Sequence, residues 1–116
     1  MIADGLHVDR SIVELIVKLK GPQRTILVTD RAFVGTSKGG LVGSSLTLDQ
    51  AVRNVVNWGI ASFADAVRMA SWNPAVVLGL EKCLGELACG KLADLVIWDE
   101  KTLKVKQVIL GGELVA

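Results

Sequence analysis

The run Thr25-Ile26-Leu27-Val28-Thr29-Asp30 decides the reading of this chain. It is short, rich in β-branched side chains and preceded by Gly21-Pro22, which predicts a strand buried on both faces, as parallel sheets require. Working back from it, Arg10-Ser11-Ile12-Val13-Glu14-Leu15-Ile16-Val17-Lys18-Leu19-Lys20 places apolar residues at helical spacing. Asp9 or Ser11 can cap that helix and Gly21-Pro22 can end it. Before it stands Ile2-Ala3-Asp4-Gly5-Leu6-His7-Val8-Asp9, with the only histidine of the chain. Strand, helix, strand is a βαβ signature, and in a parallel α/β sheet or barrel the residues at the carboxyl ends of strands face the substrate crevice. Asp30 is therefore well placed to handle protons, with His7 as its candidate neighbour. The stretch before His7 is shorter than a normal strand, so the chain is expected to be part of a larger unit.

Working forward, Arg31 to Gly43 is Gly-rich and lacks helical periodicity, which predicts a loop with room for a small hairpin. Its Thr36-Ser37-Lys38-Gly39-Gly40 lacks the Gly-x4-Gly-Lys-Ser/Thr order of a phosphate loop, so nucleotide binding is discounted. Thr47 or Asp49 can cap a helix through Ala51 to Asn57 that Gly59 closes, and a second helix runs from Ser62 to Ala70. Asn73-Pro74 opens a shorter one from Ala75 to Leu78, with Gly79 as its stop. Leu95 to Trp98 and Val105 to Leu110 read as strands, and Gly111-Gly112-Glu113-Leu114-Val115 as a tight turn with a short return strand. Trp58, Trp72, Trp98 and Met69 are expected in packing, and Asp94 in the structure of the Gly90-Lys91-Leu92-Ala93-Asp94 turn. Ser44 and Ser45 are expected to serve turns and caps, because no second histidine exists to activate either.

Composition narrows the class. With 116 residues, 51% hydrophobic and 22% charged, the chain is not a disordered tail. Its net charge is +1, and Lys18, Lys20, Arg24, Arg31, Lys38, Arg53 and Arg68 are scattered, so neither a nucleic acid nor an anionic membrane is an expected partner. Asp4 and Asp9 stand where a signal peptide needs a basic and then an apolar region, which favours a cytoplasmic protein. Mean hydropathy is high at +0.47. Every apolar run is nevertheless broken well short of the ~20 residues that cross a bilayer, so the apolarity points to surfaces buried against something else. Cys83 and Cys89 match neither a redox CxxC nor a zinc knuckle and are read as free thiols.

Three separated blocks carry a resemblance: Asp4-Gly5-Leu6-His7-Val8-Asp9, Leu27-Val28-Thr29-Asp30 and Val42-Gly43-Ser44-Ser45-Leu46-Thr47-Leu48-Asp49. In this order they resemble the C-terminal portion of the N-acetylglucosamine-6-phosphate deacetylases, a branch of the amidohydrolase superfamily. The resemblance continues through Met69-Ala70-Ser71-Trp72-Asn73-Pro74-Ala75, Gly85 to Val96 and Gly111 to Val115. The Gly-Lys-Leu-Ala-Asp-Leu-Val block identifies only the superfamily.

The resemblance implies an α/β fold: the last strand-helix units of a (β/α)8 amidohydrolase barrel, followed by helices and a small C-terminal β segment. Residues 1–80 would be the partial barrel and residues 81–116 the strands of a small β domain. The implied activity is metal-dependent removal of acetate from N-acetylglucosamine 6-phosphate. Asp30 would be the acid/base, taking a proton from the metal-activated water and returning it to the departing amine. Asp4, Gly5, Leu6 and His7 would line the sugar-phosphate site, and Leu41, Val42 and Gly43 a second substrate-contacting loop.

The implied cofactor is a divalent metal of zinc or iron type, held by a Glu and two His on earlier strands. Those strands are absent, so this chain contributes no metal ligand and is expected to be inactive alone. Its expected partner is a second copy or the N-terminal barrel half. The loop after Asp30 is also shorter than in the family, Arg31 replaces a small residue and Val42 a serine. A reading from another class is a non-catalytic interaction or oligomerisation module derived from the deacetylase.

Overall fold

A computed structural model describes residues 1–32 and 43–116. The architecture is α/β, with helices followed by a small antiparallel sheet. Helices α1 (Arg10–Lys20), α2 (Leu48–Asn57), α3 (Phe63–Ala70) and α4 (Trp72–Val77) precede strands β1 (Leu95–Trp98), β2 (Val105–Leu110) and β3 (Glu113–Leu114). A single 3-10 turn, Pro22–Arg24, follows α1.

Helices α1 and α3 begin under side-chain caps, whereas the N-cap residues of α2 and α4, Thr47 and Ser71, make no such bond. Asp9 caps α1: its Oδ1 accepts the Ser11 N–H at 2.8 Å and the Ser11 hydroxyl at 2.6 Å. Lys18 and Lys20 in the last turn suit the negative end of the helix dipole. Ser62 caps α3 by accepting the Asp65 N–H and donating its hydroxyl to Asp65 Oδ2. At the end of α2, Gly59 adopts φ +70° and the Ile60 N–H reaches the Val55 carbonyl at 3.0 Å, a Schellman closure that a Cβ would oppose. The same closure ends α4, where the Leu80 N–H donates to the Ala75 carbonyl at 2.8 Å. That helix starts at Trp72, ahead of the expected Ala75, and Pro74 remains within the first turn where its lack of an N–H is harmless.

The sheet has the order β1-β2-β3, with Leu95 opposite Ile109 and Trp98 opposite Val105. Asp99 organises the β1–β2 connection, its Oδ1 accepting the Thr102 N–H at 2.8 Å and the Thr102 hydroxyl at 2.9 Å. Asp94 has the expected structural part, accepting the Gly111 N–H at 2.8 Å and so joining its own turn to the β2–β3 turn. Cys83 and Cys89 are free and exposed.

The core gathers Ala3, Val13, Leu27, Leu46, Val52, Val55 and Ala66 around a fully buried Met69, with Trp58 and Trp98 against its edge. Phe63 meets Trp98 edge to face, with centroids 5.4 Å apart and planes at 78°, and so docks the sheet on the helices. Among the described residues, no helix is long and apolar enough to cross a membrane.

The expected strand at Thr25 to Thr29 needs correction. The segment is extended, but it belongs to no ladder, and Val28 is 42% exposed although burial on both faces was expected. A strand buried on both faces needs neighbours along both edges. Among the described residues the backbone offers it Met1 near one end, the Met69 carbonyl at Leu27, and Ser44 at the other end. Buried Asn73 holds its start, donating through Nδ2 to the Pro22 and Thr25 carbonyls at 2.6 Å each. Most of the Gly-rich stretch, including Thr36 to Gly40, lies outside the described residues.

Candidate functional site

The site follows from a short parallel pairing. The Met1 amino group donates to the Ile26 carbonyl at 2.8 Å, and the Val28 N–H donates to the Met1 carbonyl at 3.0 Å. This is the slanted pattern of parallel strands, with Met1 beside Leu27. Asp4 and Asp30 each lie three residues beyond that pair. The register carries the Asp4–His7 turn and Asp30 toward the same end of two neighbouring chain segments.

Asp30 is exposed and sits at φ +46°, a left-handed conformation that a non-glycine residue rarely adopts and that Asp tolerates better than most. Three contacts hold the turn there. The Asp30 carbonyl accepts the Ser44 N–H at 2.8 Å, Arg31 pairs with Ser44 in a parallel bridge, and the Ser44 hydroxyl donates to the Thr29 carbonyl. Ser44 thus has the structural part expected of it. Gly43, at φ +64°, lies against the same turn: a Cβ there would stand 2.4 Å from the Ala32 Cβ and 2.9 Å from the Asp30 carbonyl oxygen. The lack of a side chain lets Gly43 pass close to the backbone of this turn.

Asp4 to His7 form a compact turn. Asp4 Oδ1 accepts the Leu6 and His7 N–H groups at 2.9 Å each, while Oδ2 lies 2.6 Å from His7 Nδ1. Burial pushes the Asp4 carboxyl up, but the Leu6 N–H, the His7 ring and the His7 N–H outweigh it and hold the carboxyl below its usual range. The Trp58 ring backs the turn, 3.5 Å from where a Gly5 Cβ would stand. Leu6 points outward and is exposed.

Of the expected site residues, Asp4, Gly5, Leu6 and His7 form one turn, and Asp30 and Gly43 another. Leu41 and Val42 lie outside the described residues. The sequence reading missed Asn54, whose Nδ2 donates to the Ala3 carbonyl at 2.8 Å and anchors the residue before Asp4 from α2. An Asn on a helix surface belongs to no local motif, so no signal marked it. Among the described residues no group of three or more His, Cys, Asp or Glu could hold a metal ion. A separate cleft of about 190 Å³, bordered by Arg24, Ile26, Arg68, Trp72 and Asn73, lies by the start of the extended segment and includes none of the expected site residues.

The family model described as the amidohydrolase family matches residues 2–115. The chain is 35% identical to the N-acetylgalactosamine-6-phosphate deacetylase of Escherichia coli O157:H7, over 98% of this chain and 36% of that protein. It is also 35% identical to the N-acetylglucosamine-6-phosphate deacetylase of Vibrio furnissii, over 83% of this chain and 29% of that protein. Among solved structures, the N-acetylglucosamine-6-phosphate deacetylase of Pasteurella multocida superposes with a TM-score of 0.88 at 28% identity, over 100% of this chain and 36% of the other. The chain spans about a third of the length of each of these three relatives.

Proposed function

The chain belongs to the amidohydrolase family, and from that premise we propose that it carries the acid/base and one substrate wall of an amide hydrolase acting on N-acetylglucosamine 6-phosphate. Residues 1–80 would supply the closing units of a (β/α)8 barrel, and residues 81–116 part of its small β domain. One observation carries the reading: the backbone register brings Asp30, held at φ +46°, and the Asp4–His7 turn to the same end of two neighbouring segments. Catalytic groups at the carboxyl ends of neighbouring parallel segments are the arrangement on which barrel enzymes rely. A left-handed Asp fixed by Ser44 and Gly43 is the kind of conformation that clusters at functional sites.

In this reading Asp30 accepts a proton from water as the oxygen adds to the acetamide carbonyl. Collapse of the adduct breaks the C–N bond, and Asp30 returns the proton to the departing amine. The products are acetate and the amino-sugar phosphate. The sugar phosphate would lie along Asp4, Gly5, Leu6 and His7, with Leu41, Val42 and Gly43 opposite. Relatives named for the glucosamine and for the galactosamine substrate stand at the same 35% identity, so the C4 epimer is the natural competing substrate.

The described residues do not fit a divalent metal site. The single histidine has its Nδ1 against Asp4, and no cluster of donors surrounds Asp30. Metal ligands of the zinc or iron type would have to come from a segment outside these 116 residues.

The test is acetate release from N-acetylglucosamine 6-phosphate with added divalent metal. The chain alone is expected to release none. Mixed with the N-terminal barrel segment of the Vibrio furnissii relative it is expected to turn over, and Asp30→Asn to abolish that turnover. An Asp30→Asn variant as fast as the unaltered chain would remove Asp30 from the chemistry.

A second reading, an oligomerisation module without catalysis, is favoured by the apolar stripe of Ile12, Leu15 and Leu19 on the outer face of α1. A stable homodimer that ignores both the sugar phosphate and the barrel segment would establish it.

A further inference from the structure

Arg24 closes the 3-10 turn before the extended segment and Arg68 lies in the last turn of α3, yet both border the cleft of about 190 Å³. Both residues are exposed, and among the described residues no carboxylate lies within ion-pair distance of either. Asp65, on the same helix as Arg68, is engaged by the Ser62 cap instead. Two like charges gathered at one cleft repel, and an anion held between them turns that repulsion into attraction.

The rest of the lining is largely apolar. Ile26, Trp72, Val76 and Val77 contribute to it, and Val76 and Val77 are 46% and 74% exposed. Buried Asn73 ties α4 to the turn that carries Arg24, through the Pro22 and Thr25 carbonyls. Lys91 Nζ lies 4.8 Å from the centre of the Trp72 ring and is itself fixed by Glu86 Oε1 at 2.6 Å and by the Glu81 carbonyl. The elements that carry the arginines and the indole are thus joined before any ligand arrives, which lowers the cost of binding.

We infer that this cleft binds a small phosphate monoester, with its phosphate between Arg24 and Arg68 and its apolar body against Trp72 and Val76. Two positive charges match the dianion that a phosphate monoester carries near pH 7, whereas a carboxylate would leave one of them unanswered. The planar fork of a guanidinium suits phosphate oxygens. The cleft is smaller than the ~300–1,000 Å³ of sites for drug-sized ligands, so the body is of single-ring size. Ile26 precedes Asp30 by roughly 13 Å of extended chain, which separates this cleft from the Asp4–His7 turn. The inference is independent of the function proposed above.

Phenyl phosphate is the probe, with phenol and inorganic phosphate as its two halves. Added to the 15N-labelled full chain, it is expected to shift the Trp72 indole N–H and the Arg24 and Arg68 Nε–H signals saturably. Each half is expected to bind at least about tenfold more weakly. Arg24→Gln and Arg68→Gln are each expected to weaken phenyl phosphate about tenfold, near the loss of one charged hydrogen bond. Both residues are exposed, so an unchanged urea midpoint is expected and checks the fold of each variant.

Phenol binding as tightly as phenyl phosphate overturns the anion assignment, and inorganic phosphate binding as tightly overturns the apolar one. Saturable shifts centred on the Asp4–His7 turn, with the Trp72 indole silent, overturn the site. Binding indifferent to both arginine substitutions does the same. Should either variant not fold, the response of the unaltered chain to the three probes decides alone. The absence of any saturable shift overturns the inference outright, and cleft signals that instead change with protein concentration would make the cleft a contact between copies.

Discussion

Gly43 and Asp30 meet with no room for a side chain between them: a Cβ on Gly43 would lie 2.9 Å from the Asp30 carbonyl oxygen and 2.4 Å from the Ala32 Cβ. Both residues are in the left-handed region, Gly43 at φ +64° and Asp30 at φ +46°. Gly43→Ala would therefore add left-handed strain of about 1–2 kcal/mol and push the Asp30 turn away. The expected outcome is a lowered urea midpoint corresponding to a loss of about 1–3 kcal/mol of stability, with amide shifts centred on Asp30 and Ser44. An unchanged midpoint would show that the turn is not held from this side.

Met69 joins α3 to the extended segment at Leu27. Its side chain is fully buried in the core and its carbonyl accepts the Leu27 N–H at 3.0 Å. Met69→Ala leaves that backbone bond in place and empties the centre of the core. A loss of about 2–5 kcal/mol is expected in chemical denaturation, and a loss below about 1 kcal/mol would mean that the core collapses onto the vacancy.

The Asp99 carboxyl reports on the sheet through pH. The hydrogen bond from Lys106 lowers its pKa most, with the Thr102 N–H and hydroxyl next, and together they hold it well below the usual carboxylate range. A carboxyl depressed in the folded state stabilises the fold at pH values above its unfolded pKa of about 3.9, and that contribution is lost as pH falls toward the folded value. Lys106→Ala is expected to raise the Asp99 titration toward the ordinary range and to flatten this acid dependence. Carboxyl 13C NMR across an acid titration measures both, and an Asp99 titration indifferent to Lys106 would refute the assignment.

The outer face of α1 carries Ile12, Leu15 and Leu19, the last 74% exposed. A soluble surface seldom aligns three such side chains at helical spacing. Leu15→Lys combined with Leu19→Lys is expected to reduce self-association in sedimentation experiments without shifting the thermal midpoint by more than a few degrees. Equal association in both proteins would place the contact elsewhere.

The elements legible in the sequence are those with a local cause. Asp9, Gly59 and Gly79 act as the cap and stops that their positions predict, and β1 and β2 keep their expected bounds, whereas Ser62, expected as the first helical residue, is the cap of α3, and Thr47 takes the N-cap position of α2 without a side-chain bond. Thr25 to Thr29 was harder, because a strand is defined by its neighbours and β-branched composition does not say which neighbours are present. In the site, the sequence marked Asp30 and the Asp4–His7 turn. It did not show that Asp4 accepts from Leu6 and His7 within the turn, or that Asn54 anchors Ala3 from 51 residues away. The first is a local Asx-type turn that an Asp before a Gly can signal, whereas the second is a bond of tertiary geometry that neither spacing nor residue type encodes.

The edge-to-face contact of Phe63 with Trp98 has a consequence for how the chain comes apart. Together with the Arg53 guanidinium, which reaches the Leu103 carbonyl at 3.4 Å, it links the helical layer to a sheet whose remaining bonds are largely internal. Across so slender a seam the C-terminal strands are expected to open as a unit of their own, below the free energy of global unfolding. The Trp98 indole sits at that seam, and its fluorescence would register the opening before the helices melt.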